Sequence, residues 1–151
     1  MIWEATFRPE QREIVFGDQE EMGLGIRVAT PIRAESRADG AVGGNGMMVD
    51  AKGRENEDQI WGKAADWCDY RGTVQQQRVG IAIFCHPENF GPSWFHARDY
   101  GLLLANPFGR HAFGHQAGQV PDLDGLRAAD CTRWAVKRRK KAISCGDDFL
   151  S

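Results

Sequence analysis

Apolar and polar positions alternate with a period of two through most of the first three quarters of the chain. In "IWEATFR", Trp3, Ala5 and Phe7 alternate with Glu4, Thr6 and Arg8, the spacing of a strand with one face toward a core. "REIVF" follows, ahead of a turn near Gly17-Asp18. In "MGLGIRVA", Met22, Leu24, Ile26 and Val28 fall on one face, and Gly23, Gly25, Arg27 and Ala29 on the other. Glycine inside a strand marks close approach of a ligand or another backbone, so Arg27 stands on a face that two glycines keep bare. "RVGIAIFCHP" is apolar on both faces, as a strand covered on both sides should be. "SWFHARDYG" puts Trp94, His96 and Arg98 on one face and Phe95, Ala97 and Asp99 on the other, before a structural turn at Asn106-Pro107. Short strands between turn signals, with little helical periodicity, predict an all-β fold, an antiparallel β-sandwich.

Two stretches break the pattern. Residues 34–58 are rich in Gly, Asp, Glu and Asn, with "GGNG" at 43–46, and predict a long loop or ragged hairpin. No Lys-Ser/Thr follows those glycines, so they are not a phosphate loop. After Gly114 the alternation stops and the charge turns from acidic to basic, with "KRRKK" at 137–141. The expected organisation is a sandwich unit over residues 1–114 and an atypical basic tail over 115–151, helical or disordered. The abruptness of the change motivates the idea of a shifted reading frame in that tail.

Charge and motifs then narrow the function classes. A formal net charge of −2 creates no field that gathers nucleic acid or anionic lipid. The basic run lacks the interleaved aromatics of a nucleic-acid surface, and reads as a solvated face. No apolar run is long enough for a membrane helix, and the N-terminus lacks a signal-peptide pattern. A cytoplasmic chain without nucleic-acid or membrane partners is expected. Cys68, Cys85, Cys131 and Cys145 form no C-x-x-C pair, so buried thiols are expected rather than a zinc ribbon. Serine-hydrolase, zincin, Walker and Rossmann fingerprints do not occur, and no cofactor is expected.

The candidate chemistry centres on "SWFHARD". His96 is a proton donor or hydrogen-bond partner near neutral pH. Arg98 and Arg27 are clamps for an anion or a hydroxyl, and Trp94 is a stacking platform. Glu21, at the mouth of the "MGLGIR" strand, is the candidate base, with Glu20 beside it. His86, before Pro87 at a strand end, is a further ligand-binding candidate. A metal site built from His86, His96 and one of these glutamates is a weaker alternative, unsupported by any spacing rule. Trp61, Trp67 and Tyr70 read as core or rim aromatics, and Asp99 as a residue holding Arg78 or a turn amide. The competing structural reading makes the polar residues of "WFHAR" a satisfied cluster that only pins the sandwich.

"FGDQEEMGLGIRVATP", "WCDYRG", "GIAIFCHPENF" and "WFHARDYGLLLANPFG", in this order, resemble the soluble methane oxygenase PmoA-like family over Glu4 to about Gly114. The resemblance implies a β-sandwich of supersandwich-like type, without implying methane oxidation. It also implies that the chain corresponds to the second half of longer relatives, in which case any secretion signal would lie in the part before it. The leading expectation is binding or acid/base chemistry on a small polar ligand such as a carbohydrate; proton shuttling at a sugar ring, as in the distantly comparable aldose epimerase sandwich, is one form of it. The alternatives are a non-catalytic structural or interaction domain and the metal-dependent oxidoreductase that the family name invites.

Overall fold

The computed structural model describes residues 1–6, 20–35, 43–89 and 91–108, and the backbone of 131–139. Two antiparallel sheets carry the fold. The strands are β1 (Ile2–Thr6), β2 (Leu24–Arg27), β3 (Met47–Asp50), β4 (Lys63–Ala64), β5 (Trp67–Val74), β6 (Gln77–Cys85), β7 (Trp94–Arg98), β8 (Leu102–Asn106) and β9 (Cys131–Arg139). A 3-10 turn (Thr30–Ile32) follows β2, and a one-turn helix, α1 (Asn56–Ile60), follows β3. The five-stranded sheet runs β1-β9-β6-β5-β3 and the four-stranded sheet β2-β8-β7-β4.

The period-two pattern builds the core between them. From the five-stranded sheet, Met48, Cys68, Tyr70 and Ile83 point inward; from the other, Phe95, Ala97, Leu103 and Ala105 meet them, all fully buried. Leu24 and Ile26 of β2 pack against the same cluster while Gly25 and Arg27 stay exposed, the split expected from "GLGIR". On β6, Ile83 faces this core and the neighbouring Ala82 is buried as well, as a strand apolar on both faces requires. β1 forms where the alternation predicts it, but only Ala5 joins the core and Trp3 remains exposed. "REIVF" and the turn at Gly17-Asp18 lie outside the described residues.

The expected loop over 34–58 contains β3 and α1. Both elements are too short to show a period in sequence; pairing with β5 and side-chain bonds fix them. The Asn56 side chain accepts the Met48 amide at 2.9 Å. Buried Asp50 accepts the amides of Lys52 and Arg54 and pairs with the Arg54 guanidinium, whose Nε donates at 2.6 Å. Arg54 Nη2 also donates to the Ala64 carbonyl at 2.9 Å, so this ion pair joins the edge strands β3 and β4 of the two sheets. The backbone of 44–46 hydrogen-bonds to that of 31–35, which gives "GGNG" a packing role.

The tail needs a larger correction. Residues 131–139 are neither helical nor disordered: they form β9, inserted between β1 and β6. In "CTRWAVKRR" the basic residues mask the strand signal in sequence, and backbone pairing with β1 and β6 reveals it. Residues 115–130 and 140–151 lie outside the described residues.

Tyr70 ties the sheets together at one end. Its phenol accepts the Ala34 amide and donates to the Asp99 carbonyl, each at 2.8 Å. Burial pushes the phenol up to about 12, so it stays a donor at physiological pH. Asp99 opens the β7–β8 turn, which Gly101 closes with φ +105, a conformation that glycine adopts without strain. Removing the phenol oxygen in Tyr70→Phe strands two partly buried backbone groups, and should cost about 1–3 kcal/mol of unfolding free energy, measured by urea denaturation. Stability equal to wild type would contradict this role.

Candidate functional site

The register of the four-stranded sheet assembles the site on its outer face. His96 lies across from Leu104, which lies across from Gly25; Arg98 lies across from Leu102, then Arg27; Trp94 lies across from Asn106. Trp94, His96 and Arg98 therefore share the face that their spacing predicted. His96, Leu104 and Asn106 are nonetheless buried, because other segments cross over this face.

One of those segments is residues 20–23. Buried Asn106 donates through Nδ2 to the Glu20 carbonyl at 3.1 Å and accepts the Phe108 amide at 2.8 Å. Gly23, at φ +103, lies so close to the Ala105 carbonyl that a Cβ would collide with it. The glycine face of β2 is thus bare for backbone packing at Gly23. These anchors hold two carboxylates over the imidazole. Glu20 Oε2 is 3.8 Å from His96 Nδ1, and Glu21 Oε1 is 3.9 Å from His96 Nε2.

The second segment is α1 and the residues after it. Glu57 accepts Arg98 Nη1 at 2.6 Å through one carboxylate oxygen and the Asp99 amide at 2.9 Å through the other. Its own amide donates to the Asp99 carboxylate at 3.1 Å. This settles the role of Asp99, which holds an amide of α1; Arg78 takes no part in these bonds. Trp61 meets the His96 ring edge-on, with centroids 6.3 Å apart, and the Arg98 guanidinium sits 5.4 Å over the Trp61 ring.

Each nitrogen of the Arg98 guanidinium faces one neighbour. Nε donates to His96 Nε2 at 3.1 Å, Nη1 bonds Glu57, and Nη2 faces Glu20 at 4.0 Å. The Glu57 hydrogen bond raises the Arg98 pKa further, so the group stays charged. A guanidinium nitrogen only donates. His96 Nε2 must therefore carry a lone pair, which places the imidazole proton on Nδ1, facing Glu20. Burial, then the Arg98 charge, pulls the His96 pKa below its ordinary value, against the opposing pull of Glu20, Glu21 and Glu57.

Of the residues expected in the site, His96, Arg98 and Glu21 come together, with Trp94 beside them on the same strand face. Arg27 does not join them. It shares the face by register, but its guanidinium stacks 5.1 Å over the ring of Tyr100 in the β7–β8 turn. His86 is elsewhere too: it follows β6 in the other sheet, accepts the Glu88 amide and faces the Glu88 carboxylate. A metal set of His86, His96 and a glutamate therefore does not assemble. No group of three or more His, Cys, Asp and Glu among the described residues is arranged to hold a metal ion. Glu57 was not foreseen, and Trp61 was read only as a core or rim aromatic. Their sole sequence signal is a carboxylate and an indole four apart in a polar stretch.

A family model matches residues 1–132. The chain belongs to DUF6807, a family of unknown function. No curated protein and no solved structure matches it. The resemblance to the PmoA-like family is corrected accordingly: the matching model is that of DUF6807, and it runs past Gly114 into β9. The motifs behind that resemblance fall on β2, β5, β6 and β7–β8, where their residues serve sheet packing and turns. No helix among the described residues is long and apolar enough to cross a membrane. Of the four cysteines, Cys68 and Cys85 are free thiols; burial raises both, Cys85 to about 11.

For this DUF6807 member a pH dependence follows. A histidine with a depressed folded-state pKa stabilises the fold above its ordinary value, and that contribution is lost as pH falls through the folded value. Unfolding free energy should therefore decline as pH falls below the ordinary histidine value of about 6.5, and His96→Gln, whose carbonyl can still accept Arg98 Nε, should flatten that decline. Equal slopes in denaturation series of the two proteins would contradict the assignment.

Proposed function

We propose that the outer face of the four-stranded sheet binds a small, uncharged, hydroxyl-rich ligand, a carbohydrate or a close derivative. The observation that carries this reading is the pair of part-exposed carboxylates, Glu20 and Glu21, flanking one buried imidazole within 4 Å on either side. Carboxylates accept ligand hydroxyls through charge-assisted hydrogen bonds, and Trp61 and Trp94, both partly exposed, offer apolar ring surface beside them. Two carboxylates, Glu57 and Glu20, face the one guanidinium, a third, Glu21, faces the adjacent imidazole, and Glu57 already neutralises Arg98. An anionic ligand would meet net repulsion, so Arg98 serves as an organiser rather than the anion clamp its sequence position invited.

Acid/base chemistry is the extension of this reading. Glu21, 70% exposed, is the group placed to take a proton from a ligand. His96 has almost no surface of its own, so it acts on a ligand only through Glu20 or Glu21. That same burial favours a second reading, a non-catalytic domain in which the cluster pins the turn at Asp99.

A thermal melt of the chain with neutral monosaccharides, sugar acids and divalent metals separates the two. Selective binding to the folded state must raise the melting temperature. Neutral sugars should raise it and sugar acids should not. Glu21→Gln, with its melt unchanged in the absence of ligand, should weaken binding by about tenfold, the effect of one charge-assisted hydrogen bond. No shift with any sugar would favour the structural reading; a shift with sugar acids alone would overturn the charge argument.

A further inference from the structure

We propose that His96 is a proton-operated switch at this site: neutral, it accepts Arg98; protonated, it must release Arg98 and draw Glu20 and Glu21 onto its two nitrogens. The regulatory consequence for a ligand rests on the binding role proposed above; the exchange of partners does not.

The switch is stereochemical. In the neutral ring, Nε2 has one lone pair, and Arg98 Nε occupies it at 3.1 Å. Taking a proton from solvent at Nε2 turns that atom into a donor. Two N–H groups then face one another across the same 3.1 Å, and both side chains are cations. Arg98 cannot answer by losing its proton, so the contact has to open. The replacement acceptors are already in place. Glu21 faces Nε2 at 3.9 Å and Glu20 faces Nδ1 at 3.8 Å, each roughly 1 Å beyond a charge-assisted hydrogen bond.

Every described element packed on the ring fits this scheme. Glu20 and Glu21 come from the segment before β2, Arg98 from β7 itself, and Glu57 from α1, which bonds Arg98 and acts on the ring by its charge alone. Trp61, after α1, presents an uncharged indole edge. Leu104 and Gly25, across the sheet, carry no charge. Glu57 holds the neutral arrangement, because it pins the guanidinium whose Nε addresses His96. The two carboxylates that would accept ligand hydroxyls are the two that the imidazolium recruits. Acidification thus closes the segment 20–21 over His96 and competes with the ligand.

The test is nitrogen NMR of the unliganded full chain, with histidine and arginine side chains labelled and His96 assigned by its loss in His96→Gln. At about pH 7.5 His96 should show a protonated Nδ1 and an unprotonated Nε2. On acidification Nε2 should take up a proton, and the Arg98 Nε–H resonance should move with the same midpoint. In Glu20→Gln/Glu21→Gln, changed only at two part-exposed positions, the midpoint should fall by about one pH unit as both anionic partners are lost. An Nε2–H tautomer at neutral pH, an Arg98 resonance that stays fixed while His96 titrates, a midpoint unmoved in the double variant, or no titration before unfolding would each overturn the switch. These readings use no ligand, so a chain that binds no sugar but passes them loses only the binding role.

Discussion

The arrangement of the outer face depends on the two bonds that the Glu57 carboxylate makes to consecutive residues of the β7–β8 turn. One oxygen takes the Arg98 guanidinium and the other the Asp99 amide. This works because α1 is itself held in place. The Asp50–Arg54 ion pair closes the loop before the helix, and the Asp99 carboxylate holds the Glu57 amide. With Glu57 in place, Arg98 Nε can point only at His96, and the tautomer of a buried imidazole follows from a residue 39 positions earlier in the chain. Tyr70 completes the frame by fastening the same turn to the five-stranded sheet.

The charge balance of the face is its second defining feature. A part-buried guanidinium on a sheet face invites an anion. Here the surrounding carboxylates invert that sign, so the face offers acceptors more than donors. Burial of His96 has a similar effect: it removes the ring from direct contact with solvent and makes Glu20 and Glu21 its intermediaries.

The strands were legible because alternation is a local signal. "MGLGIR" and "SWFHARD" announced both their strands and their faces, and Trp94, His96 and Arg98 project as that spacing required. Two parts were not legible. Glu57 sits in a polar stretch with no periodicity, and its partners are 41 and 42 residues away; only tertiary folding reveals the pairing. Strand β9 was hidden by its own charges, since a basic run reads as solvated surface until sheet pairing claims it. Arg27 shows the opposite failure. Its face was read correctly, but register fixes a direction and not a partner, and Tyr100 captured the guanidinium.

The claim most open to test is that Glu57, Arg98 and His96 act as one unit although Glu57 and His96 do not touch. A double-mutant cycle with Glu57→Gln and His96→Gln, followed by urea denaturation at neutral pH, addresses it directly. Residues joined through one network are coupled by about 0.5–3 kcal/mol, and Glu57 and His96 should show a coupling in that range. Strict additivity of the two substitutions would contradict it, and would reduce the cluster to neighbours that share a surface without sharing an energy.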